Sequence, residues 1–268
     1  MANMRVSGEP EVLTELLRRA GFVAAKEEAS ELLACACGDA ERLASLVTRR
    51  IAGEPLAWIT GGVLFCNMTI RVEPGVYVPR WQSEPLARRA AERLPAPGGA
   101  VEVCTGSGAL AKVLAAAQPR ARVVACDLDD RAVACAVANG VEAYVGDLFA
   151  PVPAGLEGRV DVVVGVVPYV PTSALALLPR DTLAFESPLS YDGGPDGTDV
   201  LRRAAVESTH YLRPGGALML ELGGDQAEVL GDVLDRLGFV DLSVFVDQDG
   251  DERGIEATFG ATAVVNRG

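Results

Sequence analysis

Ala100-Val101-Glu102-Val103-Cys104-Thr105-Gly106-Ser107-Gly108 reads as a strand that runs through a tight glycine turn into a helix. Residues 100–104 are small or β-branched apolar types around one acid, Glu102, the composition of a central parallel strand covered on both faces. Strands of that kind end at ligand crevices. Gly106 and Gly108 lack a Cβ, so the backbone turns sharply and approaches whatever fills the crevice, while Ser107 and the amides after it open a helix over 109–117. The turn is therefore expected to present donors to an anion or carboxylate.

About twenty residues on, a second apolar strand, 122–126, ends in Asp127, where an acid accepts hydrogen bonds from both hydroxyls of an adenosine ribose. A third strand near 142–145 ends in Gly146-Asp147-Leu148-Phe149, so three strand tips converge on one pocket. Gly106-Ser107-Gly108-Ala109-Leu110-Ala111 also fits the GxGxxA form of the dinucleotide fingerprint, which keeps a hydride-transfer enzyme among the readings, as does a bare strand-to-helix turn with no ligand. The acids Glu102, Asp127 and Asp147 move the balance: with them the segment resembles the first half of a doubly wound S-adenosylmethionine-dependent methyltransferase.

The rest of the chain agrees with an α/β protein. Helical periodicity runs through 9–53, with Gly21, Gly38 and Gly53 closing successive helices and Asp39 capping the third. Residues 61–78 read as a hairpin turning near Cys66 and Asn67. Ser83 is expected to cap a helix running to Leu94. Val160 to Val166 is a near-continuous β-branched run, the mark of a fourth buried strand; a helix over 199–211, a strand over 216–222, a helix over 226–237 and two last strands follow. Strands alternating with helices predict a mostly parallel, doubly wound seven-stranded sheet. The expected division is a helical domain over 1–60, a hairpin linker over 61–78 and a cofactor-binding domain over 79–268.

Composition narrows the function classes. A formal net charge of −13 and a pI near 4.6 give a field that repels phosphate backbones, which disfavours nucleic acid as partner. Six cysteines without a CxxC pair, and a single histidine, His210, point to small core thiols in a reducing compartment and not to a metal site. No targeting segment or bilayer-length apolar run is present, so a cytoplasmic protein is expected.

Downstream segments carry a more specific resemblance. Gly53-Glu54-Pro55, Trp58-Ile59-Thr60-Gly61, Tyr77-Val78-Pro79-Arg80-Trp81-Gln82-Ser83-Glu84, the turn at Cys104 to Gly108, Phe185-Glu186, Asp192 to Gly197, Leu212 to Gly216, Glu221-Leu222-Gly223 with Gln226, and Asp251-Glu252-Arg253 stand in an order that resembles the HemK/PrmC family of protein-(glutamine N(5)) methyltransferases. The resemblance covers nearly the whole chain. It implies S-adenosylmethionine as cofactor, held by Glu102, Cys104, Thr105, Gly106, Ser107, Gly108, Asp127, Asp147 and Leu148, an acceptor loop at Val166, Pro168 and Tyr169, and Arg80 and Glu186 at the mouth of the substrate site. The implied acceptor is a glutamine of a peptide-chain release factor.

Four positions depart from the family pattern. Cys104 replaces a glycine, a mild change if its φ is negative. Glu102 replaces aspartate, and Ser187-Pro188 disturbs the order after Glu186. The fourth departure touches chemistry: the family's Asn-Pro-Pro-Tyr is Val166-Val167-Pro168-Tyr169. An amide nitrogen is a poor nucleophile, and attack on a sulfonium methyl needs it aimed in line with its N–H groups held by acceptors. Valine accepts nothing, and an unpaired amide N–H costs about 1–3 kcal/mol, roughly tenfold to a hundredfold in rate or affinity. A small-molecule acceptor, or a homologue that binds cofactor or partner without catalysis, therefore stands beside glutamine as an alternative.

Overall fold

The computed structural model describes residues 8–178 and 180–260. Four helices come first: α1 (Pro10–Arg19), α2 (Ala25–Ala36), α3 (Ala40–Ile51) and α4 (Leu56–Thr60). Their apolar stripes, with Leu13, Leu17, Leu32, Leu43, Val47 and Ile59 at the centre, close on one another as a separate small core. Asp39 caps α3 by accepting the Glu41 and Arg42 amides at 2.9 and 3.0 Å. Between α2 and α3, Arg50 forms a two-pronged ion pair with Glu28 at 2.6 and 3.0 Å, its guanidinium 4.0 Å above the Phe22 ring.

Strands β1 (Gly62–Phe65) and β2 (Met68–Arg71) form an antiparallel hairpin. Its two-residue turn, Cys66-Asn67, has both φ values positive, which matches the twist of the flanking strands. The hairpin is part of the main core: Phe65, Ile70, Val72, Val76 and Val78 pack with α5 (Glu84–Arg93) and α6 (Ala109–Ala117). The Trp58 indole donates to Val76 O at 3.0 Å and ties α4 to the segment after the hairpin.

The remaining elements are β3 (Gly99–Val103), β4 (Arg122–Asp127), α7 (Asp130–Ala138), β5 (Glu142–Val145), β6 (Val160–Gly165), α8 (Arg180–Phe185), α9 (Asp199–Tyr211), β7 (Leu212–Glu221), α10 (Gln226–Arg236), β8 (Phe239–Val246) and β9 (Glu252–Phe259). They build one seven-stranded sheet in the order β5-β4-β3-β6-β7-β9-β8, parallel except for β9. One face packs against α5, α6, α7 and the hairpin, the other against α9 and α10. β3 and β6 are apolar along their length, apart from Glu102 and Asp161, and fully buried, as strands covered on both faces must be. Strand order reverses between β3 and β6, and at such a switch point the connections diverge and leave a crevice beyond the carboxyl ends. Val103 pairs with Gly165, so Cys104 and Val166 leave the sheet side by side there.

Two local expectations fail. Ser83 stands at the N-cap of α5, yet its hydroxyl makes no cap bond; it is buried near Glu221 and makes no hydrogen bond of normal geometry. Cys37 is exposed at the end of α2 with φ of 51°, so it is not a core thiol, whereas Cys126 and Cys135 are buried. No helix of the described residues is long and apolar enough to cross a membrane.

Candidate functional site

The glycine turn is built from beneath. Glu102, buried in β3, accepts the Thr105 hydroxyl at 2.5 Å and the Ala111 amide at 2.9 Å, which fixes the turn against the start of α6. Burial pushes its carboxyl up to about 7 against those two bonds, and nearby Asp127 adds to the rise. Gly108 lies at φ +79°, and a Cβ there would meet Ala136 Cβ at 2.9 Å, so only glycine lets the turn close on α7. Asn139, at the end of α7, donates to Ser107 O and Arg71 O and accepts the Arg71 amide, locking turn, helix and hairpin together.

Two expectations about this turn are corrected. Cys104 has φ of +54°, so the side chain that replaces glycine sits in the left-handed region, at a cost of about 1–2 kcal/mol. The turn is also a poor anion cradle: the amides of Thr105, Gly106, Gly108 and Ala111 are bonded to Cys126 O, Asp127, Thr105 O and Glu102. The loop brings bare backbone to the crevice and leaves few free donors.

In front of it lies a cavity of about 400 Å³, within the range of small-ligand sites. Cys104, Gly106, Asp127, Asp147 and Leu148 line it, as do Val166 and Pro168. Glu102, Thr105, Ser107 and Gly108 do not; they stand behind the turn and shape it. Asp127 accepts the Gly106 and Asp129 amides at 2.8 and 3.0 Å, one on each oxygen, and each oxygen keeps a second lone pair for a ligand. Burial raises its pKa, opposed by those amides. Asp147 pairs with Arg203 at 2.9 Å on the rim, both half-exposed. Asp127, Asp129, Asp147 and Asp192 outnumber Arg131 and Arg203 around the cavity, a balance that suits a cationic ligand bearing hydroxyls. S-adenosylmethionine, with a ribose and a sulfonium, fits that donor set.

A second cavity, about 550 Å³, adjoins the first between the sheet ends and the N-terminal helices. Tyr77, Val166 and Ser190 line both cavities and form the partition. Arg80 and Glu186 line the second cavity and pair with each other at 2.7 Å. Glu186 also accepts the Val78 amide at 2.9 Å and the Tyr191 hydroxyl, while the Arg80 guanidinium lies 5.3 Å from the Tyr77 ring centre. The Tyr77 and Tyr191 rings meet edge to face at 5.7 Å. The pair therefore braces the aromatic partition. Burial and the neighbouring carboxylates hold the Tyr77 and Tyr191 hydroxyls firmly protonated.

Tyr169 lines the second cavity, donates its hydroxyl to Glu221 Oε1 at 3.0 Å and accepts the Gln226 side-chain N–H at its backbone carbonyl at 2.7 Å. Glu221, Arg253, Arg50 and Glu31 complete the charged lining. Tyr77, Tyr191 and Ser190 escaped sequence reasoning, because their place in the site comes from tertiary packing. The family-like segments around residues 77 and 186–192 were the only signal.

No family model matches the chain. The release factor glutamine methyltransferase of Moorella thermoacetica is 39% identical over 232 residues, covering 83% of this chain and 79% of the relative. That of Geobacter sulfurreducens is 35% identical over 221 residues, covering 80% and 77%. Among solved structures, the ribosomal protein L11 methylase of Lactobacillus delbrueckii subsp. bulgaricus superposes with a TM-score of 0.51 at 18% identity over 71% of this chain and 85% of that one, a likeness of fold.

Proposed function

The chain belongs to the release factor glutamine methyltransferase family of S-adenosylmethionine-dependent enzymes, and from that premise we propose that it methylates the side-chain nitrogen of a protein glutamine. In this reading the 400 Å³ cavity holds the cofactor and the 550 Å³ cavity admits the glutamine. The observation that carries it is the shared partition of Tyr77, Val166 and Ser190, since methyl transfer needs donor and acceptor to face each other across one narrow gap.

When bound, S-adenosylmethionine supplies a methyl group already activated by the positive sulfur. The chain's own contribution is position and exclusion of water. Asp127 takes the ribose hydroxyls, Asp147 and Leu148 flank the adenine side, and the acidic lining favours the cation. Tyr77, held by Arg80 and by Tyr191, narrows the passage between the cavities. Trp81 and Leu177, neighbours of residues that line the larger cavity, and Leu189, which lines the smaller, are 68%, 84% and 72% exposed, and large apolar side chains left bare beside a site favour a protein acceptor over a metabolite.

The test incubates the chain with labelled S-adenosylmethionine and a release factor, and locates the label by mass spectrometry. One methyl on a glutamine side chain supports the reading. Label on small amines or hydroxyls alone moves the acceptor to a metabolite. Tight binding of S-adenosylhomocysteine with no transfer to any acceptor makes the chain a non-catalytic relative.

A further inference from the structure

Position 166 leaves a gap in the acceptor site that the neighbouring strand is placed to fill. β6 and β7 run parallel with Gly165 beside Leu220 as their last pair, so Val166 leaves β6 next to the end of β7 at Glu221, and both line the larger cavity. Val166 brings no polar atom. Glu221 brings two carboxylate oxygens and lines the same cavity. Oε1 is occupied by the Tyr169 hydroxyl at 3.0 Å. Oε2 is buried and makes no hydrogen bond of normal geometry; burial raises the carboxyl's pKa, opposed by the Ser83 hydroxyl, itself otherwise unpartnered, and by the Tyr169 hydroxyl.

An unpaired buried carboxylate oxygen is costly, so a protein that keeps one at a ligand cavity leaves it for a donor that arrives with the ligand. The other carboxylates lining this cavity do not serve. Glu186 is already bonded on both oxygens, to Val78 on one and to Arg80 and Tyr191 on the other. Glu31 sits on α2 in the N-terminal helical unit and not at a strand end.

We propose that Glu221 Oε2 accepts a hydrogen bond from an N–H of the methyl-accepting nitrogen, serving from β7 the holding role that an asparagine at position 166 would serve from β6. The inference rests on the methyl-transfer reading above and assigns the residue that orients its acceptor. The bond leaves the nitrogen one fewer way to turn and directs its lone pair toward the partition. It suits acceptors that carry an N–H beyond the one lost on methylation, as primary amides and primary amines do.

Glu221→Gln tests it. The Tyr169 hydroxyl takes the new amide oxygen, so an NH₂ group stands where Oε2 was and meets the acceptor's N–H donor to donor. The expected result is a roughly tenfold to hundredfold loss in kcat/KM for the release factor, with weaker calorimetric binding of the factor and unchanged affinity for S-adenosylhomocysteine. Adding Val166→Asn to that variant restores most of the loss. Val166→Asn in the otherwise unaltered chain raises kcat/KM by no more than about twofold, because the place is already served.

Wild-type kcat/KM in E221Q overturns the proposal, as does a tenfold or larger gain in V166N alone; the latter outcome decides the matter even if E221Q does not fold. A wild-type chain that transfers nothing to the release factor overturns the functional reading itself, and is distinguishable because it precedes any effect of the variants.

Discussion

Gly193→Ala tests how the acceptor loop is held. Gly193 lies under residues 168–169: a Cβ there would stand 2.6 Å from Gly197 O, 2.8 Å from Pro168 O and 2.8 Å from Tyr169 Cα, where ordinary contacts begin at 3.4 Å. All three obstacles are backbone, and the same segment is fastened by Val170 N to Tyr191 O at 2.8 Å and Gly193 N to Val170 O at 2.9 Å. No side chain rotates out of the way, so the loop must retreat by several tenths of an ångström. Overpacking of this size costs about 1–3 kcal/mol of stability, a few degrees in Tm for a chain of this length. The loop carries Pro168 and Tyr169, and a displacement that small in an aligned transfer lowers kcat on the order of tenfold to a hundredfold. Under the proposed reading cofactor affinity rests mainly on the tips of β3, β4 and β5 and is expected to change less than kcat, although Pro168 also borders that cavity. Steady-state methylation of a release factor, calorimetry with S-adenosylhomocysteine and thermal melts measure the three quantities. A variant with normal kcat would refute the placement of this loop at the acceptor, and one that loses cofactor binding in equal measure would show that the effect is not local.

Asp127→Ala should weaken S-adenosylhomocysteine binding by roughly tenfold to a hundredfold, because it removes a charged acceptor from the ribose and also releases the Gly106 and Asp129 amides that hold the turn; unchanged affinity in calorimetry contradicts the cofactor site. Gly108→Ala, forced to combine a left-handed backbone with a 2.9 Å contact to Ala136 Cβ, is expected to cost about 2–4 kcal/mol in denaturant unfolding. Glu102 gives a pH signature: its pKa is about 7 folded against 4.5 when free, so the folded state binds the extra proton between those values. The Glu102 contribution to stability is then greatest below pH 4.5, declines by up to about 3 kcal/mol as pH rises to about 7, and is level above, so the wild-type-minus-Glu102→Gln difference carries this slope.

What the sequence disclosed follows from how local each signal is. The cofactor side was legible because its parts recur within a few residues: an apolar run fixes a buried strand, and a glycine or acid at its end fixes the tip. Asp127 and Asp147 were found that way, and both line the cavity. The state of the turn was hidden, since the positive φ of Cys104 and the internal bonding of four amides depend on how β3, β4 and α7 pack. Ser83 misled for a related reason: Ser-Glu-Pro has the composition of a helix start, and only tertiary burial turns the hydroxyl toward Glu221. On the acceptor side, Val78 and Glu186 meet across 108 residues of chain, so no window of sequence contains the brace they build. Glu221 looked like an ordinary buried acid, and its open oxygen is visible only in three dimensions.

The central claim, that cofactor and acceptor meet across Tyr77 and Val166, is tested most directly by a crystal structure of the chain with S-adenosylhomocysteine and a glutamine peptide. The account predicts the ribose on Asp127, the sulfur against the partition, and the glutamine nitrogen reaching it from the larger cavity with Glu221 Oε2 at hydrogen-bond distance. A nucleoside seated in the larger cavity, or a peptide bound away from the partition, would contradict it.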